Sequence, residues 1–189
     1  YSYAVVATIS GSSLTFGTPV VFNSAASYVT EGVYDSTSGK IVVTYVAASV
    51  SYLKVGTVSG TSISFGSATS LGSGSSMTYG TLAYDPVNDK TIYGQQNANN
   101  SDGIAYVCTV SGTSISVGSP TTFNTNLAQI YGSFYDAPSG KIGFIVQTGG
   151  GPGEGYVGTV SGTSISFGSG VQFQSGISQG KTGYDSRVN

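Results

Sequence analysis

The chain has 189 residues, 39% hydrophobic and 12% aromatic, which is enough to bury a core and argues against disorder despite 29 glycines. Only 7% are charged, net −2 with six Lys and Arg, so there is no basic patch for nucleic acid and the surface falls to Ser, Thr, Asn, Gln and Gly. Histidine and tryptophan are absent and Cys108 is alone, which removes an internal disulfide, a Cys/His metal site and any histidine base.

In chain order, the first signal is TISGSSLTFG, Thr8 to Gly17. It is a loose copy of a phrase that returns as TVSGTSISFG at Thr57 to Gly66, TVSGTSISVG at Thr109 to Gly118 and TVSGTSISFG at Thr159 to Gly168. Ile63 and Phe65 alternate with Ser62 and Ser64, the period of a strand, and Ser59-Gly60 supplies a tight turn, so the phrase reads as a β-hairpin. Gly11, Gly60, Gly112 and Gly162 are spaced by 49, 52 and 50 residues. Between the hairpins lies a first strand ending in Tyr-Asp: Tyr28 to Asp35, Thr78 to Asp85 and Gln129 to Asp136. Each Asp opens a turn (STSGK, PVNDK, APSGK) that leads to an apolar second strand such as Ile41 to Val46. Third and fourth strands are the phrase with its extensions, YLKVGTV before the turn and FGSATSL after it.

A fifty-residue repeat holding only strands points to an all-β fold, a β-propeller of four blades with the fourth split between the termini and lacking one strand. The blades divide as 23–72, 73–123 and 124–173, with 1–22 and 174–189 sharing the fourth. In that unit Tyr184-Asp185 ends a first strand and Tyr3 to Phe22 give the third and fourth. From turn Asp to hairpin Ser takes 24, 26 or 25 residues in the intact units, so the split one is short by about eleven. The favoured explanation is a chain continuing past Asn189; the alternatives are a strand donated by another molecule and an open edge. Tyr1 in place of an initiator Met likewise reads as a processed product or a segment. No apolar run reaches the eighteen or so residues of a membrane span.

Consecutive hairpin turns lie at alternate ends of a sheet. The Asp and Ser-Gly turns hardly vary, whereas the opposite end carries Ala47 to Ser51, Gln96 to Gly103 and Thr148 to Gly155, different in every copy. Variation confined to one face suggests recognition there, although unconstrained loops also drift. Candidate ligand-binding residues at that end are Tyr28, Tyr79 and Tyr131 for stacking, with Gln95, Gln96, Asn97, Asn99 and Asn100 as amide partners for a sugar. Asn99-Asn100-Ser101 is also a glycosylation sequon, a common chance tripeptide.

Catalysis has no evident constellation, and no cofactor or metal site is implied. A Ser nucleophile would need Lys or carboxylate as base, and the recurring Asp35, Asp85, Asp136 and Asp185 are turn formers held apart by the repeat. Glu31 and Lys181 align across the closure as a structural ion pair. Cys108 replaces Gly56, Gly158 and Ala7 at a position of close packing. Tyr34, Tyr84, Tyr135 and Tyr184 recur in register as packing residues.

The chain YDxxxGK, apolar strand, xxVGTVSGTSISFGS resembles the repeats of propeller domains in bacteriophage tail fibres and related virion or surface adhesins, over nearly the whole length. The Gly-His and Trp-Asp pairs of WD repeats, the sialidase Asp-box and the Trp of kelch repeats are missing. The resemblance implies an extracellular or virion-surface attachment or structural module, not an enzyme, whose partners are a host-surface glycan or protein or copies of itself. Two other functions remain open on the residues: a filament former assembled by strand donation, and a propeller-fold carbohydrate-active enzyme. No nucleic acid or membrane insertion is expected.

Overall fold

The computed structural model describes residues 1–73 and 75–183; the side chains at 29, 30, 73 and 75–79 lie outside that description. Among the described residues every regular element is a strand and every pairing is antiparallel. The N-terminal region forms two short ribbons. β1 (Ser2–Ala4) pairs with β4 (Val20–Asn23), and β2 (Ala7–Ser10) pairs with β3 (Ser13–Phe16). They are the third and fourth strands of a unit, each broken in the middle.

Three complete sheets follow on one plan. The first runs β5 (Tyr28–Asp35), β6 (Lys40–Ala47), β7 (Val50–Ser59), and both β8 (Ser62–Phe65) and β9 (Thr69–Ser73) pair with β7. The second repeats it with β10 (Ser75–Asp85), β11 (Lys90–Asn97), β12 (Asp102–Ser111), β13 (Ser114–Val117) and β14 (Thr121–Asn124). The third has β15 (Leu127–Asp136), β16 (Lys141–Thr148), β17 (Gly153–Ser161), β18 (Ser164–Phe167) and β19 (Val171–Gln174).

Two details differ from the sequence reading. The hairpin turn is Gly60-Thr61, flanked by the paired Ser59 and Ser62, not Ser59-Gly60. Only its first residue has positive φ, +58°, as in a type II′ turn, which is why Gly holds that place in all four copies. The fourth strand is also two strands. After Phe65 the Gly66 amide bonds back to the Val55 carbonyl at 2.9 Å, the next residues leave the ladder, and pairing resumes at Thr69. Gly17, Gly118 and Gly168 make the same bond to Val6, Val107 and Val157.

The turn aspartates cap as their chemistry requires. Asp35 Oδ1 accepts from the Thr37 and Ser38 amides, both at 3.0 Å, and Asp85 repeats this with Val87 and Asn88. Both carboxylates are buried. Strand β6 is buried on both faces over Val42–Val46, as expected of a strand sandwiched between neighbouring sheets.

Sheet stacks on sheet, and the core lies between them. Val55 and Leu71 from the first sheet share a cluster with Ile115 and Val117 from the second; Val107 and Phe123 from the second share one with Ile165 and Phe167 from the third. Phe22 packs on Phe65, ring centroids 5.1 Å apart, and Phe123 packs on Phe167 at 5.2 Å, the same pair two interfaces on. The phrase glycine fits these interfaces. A Cβ on Gly17, Gly66 or Gly118 would sit 1.8, 1.9 or 2.3 Å from the carbonyl oxygen of Thr61, Thr113 or Thr163 in the next hairpin turn.

First strands lie side by side. The Glu31 carboxylate accepts from the Leu82 amide at 2.5 Å, and the Thr81 and Ser133 hydroxyls meet at 2.9 Å. Residues 175–183 form no regular strand but follow β15: the Ile177 amide donates to the Gly151 carbonyl at 2.8 Å, and Thr182 lies against Gly132. Tyr184 and Asp185 lie outside the described residues. Glu31 is thus engaged by backbone, and among the described residues no ion pair joins it to the exposed Lys181.

Candidate functional site

The variable end of the sheets is shaped by hydrogen bonds that the side chains make to their own scaffold. Gln96 Nε2 donates to the Leu127 carbonyl, and Gln147, its counterpart one repeat later, donates in the same way to the Ile177 carbonyl. Gln96 therefore clamps the start of β15, and Gln147 the segment that follows β19. Gln95 is buried; its Oε1 accepts from the Ser51 hydroxyl at 2.8 Å, and Ser51 in turn accepts from Tyr93 at 3.1 Å. That network ties the first sheet to the second. Tyr131 is buried too, donating to Gln147 Oε1 at 3.2 Å.

The candidates thus separate into two groups. Gln95, Gln96 and Tyr131 serve the interior, while Tyr28 and the loop Asn97–Asn100 face solvent or nearly so. Within the loop, Asn97 Oδ1 accepts from the Asn99 amide at 3.1 Å, and Asn100 Nδ2 donates to Asp102 Oδ2 at 2.7 Å. Ser101, at φ +61°, closes the turn. Asn99, the sequon residue, is exposed. The side chain of Tyr79 lies outside the described residues. No single concavity gathers Tyr28 with the asparagines among the contacts described.

A different cluster sits at the same end. Asn124 Nδ2 donates to the Tyr156 hydroxyl at 2.8 Å, which donates to Glu154 Oε2 at 2.7 Å. Asn124 and Tyr156 border an open cleft between β14 and the bend at Gly168–Gly170, lined also by Thr122, Phe123 and Thr125, and Glu154 is joined to it through the Tyr156 hydroxyl. Burial, then the Glu154 carboxylate, raises the Tyr156 phenol above its ordinary value, so it stays a neutral donor. The cleft therefore combines an aromatic wall, a phenol held by a carboxylate and an amide, groups that grip a polyhydroxylated ligand. Sequence reading missed it because Asn124 and Glu154 are thirty residues apart; the one signal was an acidic residue placed in the variable loop Thr148 to Gly155 of a charge-poor chain.

The recurring tyrosines divide by neighbour. The Tyr84 hydroxyl donates to Asp89 Oδ1 at 2.9 Å and meets Thr37 Oγ1 of the preceding sheet at 2.6 Å; burial foremost, then the Asp35 and Asp89 carboxylates, pushes its pKa up to about 12. Tyr34 is exposed, and the Asp185 turn that would face it as the Asp35 turn faces Tyr84 lies outside the described residues. Cys108 is wholly buried, which pushes its thiol up to about 12 and leaves it inert. Its room is made by Val117 across the ladder, where Gly56 and Gly158 face Phe65 and Phe167. Among the described residues no three His, Cys, Asp or Glu side chains converge on a metal position, and no helix is long and apolar enough to cross a membrane.

No model of a known family matches the chain, and no curated protein does.

Proposed function

We propose that the chain is a binding and structural module of an extracellular or virion-surface assembly, a tail-fibre-like attachment domain without catalytic activity. In this reading the sheets are blades of a four-bladed β-propeller, the fourth split between the termini and the ring open between the third blade and the fourth. The first strands β5, β10 and β15 then line the axis, consistent with the Glu31–Leu82 and Thr81–Ser133 bonds. The observation that carries the reading is the asymmetry of the two ends. One end is fixed by repeated Asp-capped and type II′ turns; the other varies in every copy and holds the cleft of Asn124 and Tyr156, whose phenol Glu154 holds. A host glycan is the ligand class its aromatic wall, phenol and amide suit.

Titration against a panel of polysaccharides and oligosaccharides tests it, with a parallel assay for new reducing ends. Expected is saturable binding that Tyr156→Phe and Glu154→Gln weaken at least several-fold, with no reducing ends released. Sustained turnover would make the chain an enzyme instead, and binding untouched by both substitutions would move the site elsewhere.

A further inference from the structure

The two terminal faces of the sheet array expose residues whose counterparts at the internal interfaces are buried or half-buried. Val157 is 57% exposed, whereas its counterparts Val55 and Val107 are 0% and 1%. Phe173 is 56% exposed, whereas Phe22 is 5%. At the other terminus Leu14 is 53% exposed, whereas Ile63, Ile115 and Ile165 are at most 9%. Phe16 is exposed, whereas Phe65 and Phe167 are half-buried against Phe22 and Phe123. The phrase glycine follows suit: Gly17, Gly66 and Gly118 each receive a hairpin turn, but around Gly168 a Cβ would meet nothing within 4 Å.

These faces are halves of one interface. Three times within the chain, a surface like that of β17–β19 is covered by a surface like that of β2–β3. The repeat thus specifies the occupant of each terminal face by residue. We infer that copies of this chain associate head to tail, the β17–β19 face of one against the β2–β3 face of the next. Phe173 then packs on Phe16 as Phe123 packs on Phe167, and the Gly11-Ser12 turn seats over Gly168 as Gly60-Thr61 seats over Gly17. Such contacts are heterologous, so they propagate beyond a dimer, by burying faces rather than by adding a strand to an edge. The inference rests on the sheet stacking of the proposed function and not on its ligand: loss of glycan binding leaves it untouched.

Sedimentation velocity over a hundredfold range of concentration tests it on the wild type, Phe16→Asp and Phe173→Asp. Both positions are exposed, so the variants keep the fold, checked by circular dichroism and melting. Expected is a wild-type mass that climbs with concentration, two variants that stay monomeric, and a mixture of the two that forms a 1:1 dimer and stops there, because each supplies the face the other lacks. A wild type monomeric throughout, or variants that assemble like it, overturns the inference. Closure of one chain on itself is caught by Ser12→Cys with Ser169→Cys: an internal disulfide in the monomer overturns head-to-tail assembly, and a ladder of linked chains supports it.

Discussion

Replacing Gly66 by Ala probes the stacking of sheets with a single methyl group. Its φ is not left-handed, so Ala is locally tolerated and, by stiffening the unfolded chain, would stabilise by about 0.4–1 kcal/mol if there were space. There is none: the new carbon would lie 1.9 Å from the Thr113 carbonyl oxygen, 2.9 Å from its carbon and 3.0 Å from Thr113 Cβ. A comfortable carbon–oxygen contact is about 3.3–3.6 Å, so the second hairpin must retreat by roughly 1.5 Å along an interface that holds Leu71, Val117 and Ile115. Overpacking of this kind costs about 1–3 kcal/mol, and backbone rather than a flexible side chain is what has to move. For a chain of this size each kcal/mol lowers the melting temperature by about 2–4 °C. Gly168→Ala is the internal control, because nothing lies within 4 Å of its Cβ. Differential scanning calorimetry at low concentration should show Gly66→Ala melting several degrees below wild type and Gly168→Ala at or slightly above it. Equal melting temperatures for the two variants would refute the proposed interlock.

Three further outcomes are expected. Val117→Phe alone overpacks against Cys108 and costs about 1–3 kcal/mol, whereas Val117→Phe with Cys108→Gly restores the Gly–Phe pairing of the other repeats, so urea unfolding should give a coupling of at least about 0.5 kcal/mol. Burial opposes ionisation of Asp35, but the hydrogen bonds from Ser38, Tyr84 and Thr37 outweigh it and hold the carboxyl below its ordinary value. Its stabilisation is therefore complete above the unfolded pKa of about 3.9 and disappears as pH falls through the lower folded value. Asp35→Asn should reduce stability at pH 7 and flatten the acid limb of the pH–stability curve. Asp35 shifts downward and the shifted tyrosines and Cys108 upward, so none of these groups moves into the window from pH 5 to 8, and with no histidine in the chain ligand binding measured by calorimetry should be level across it.

What the residues disclosed is what local chemistry decides. The period, the hairpins and the Asp-capped turns are written in alternation, glycine and carboxylate placement, and the first three strands of each complete sheet pair in the expected order. The break after Gly66 was hidden because GSAT is compatible with a continuing strand until the Gly66 amide is seen bonding to Val55. The site was less legible. Amide side chains in a variable loop look alike whether they face a ligand or, like Gln96, reach a carbonyl in the next repeat; only the distance between repeats tells them apart. The cleft at Tyr156 arises where two sheets meet, and no spacing within one repeat encodes it.

The proposed radial arrangement is tested most directly by pulsed electron–electron resonance between nitroxides at equivalent turn positions, with Ser36, Pro86 and Ala137 changed to Cys in pairs. Cys108 is buried and stays unlabelled. In a four-bladed ring the distance from the first to the third label is about 1.4 times that between neighbours, whereas sheets stacked in a line give a ratio of about 2. The former is the result predicted; the latter would contradict the propeller and, with it, the assignment of one end as the binding face.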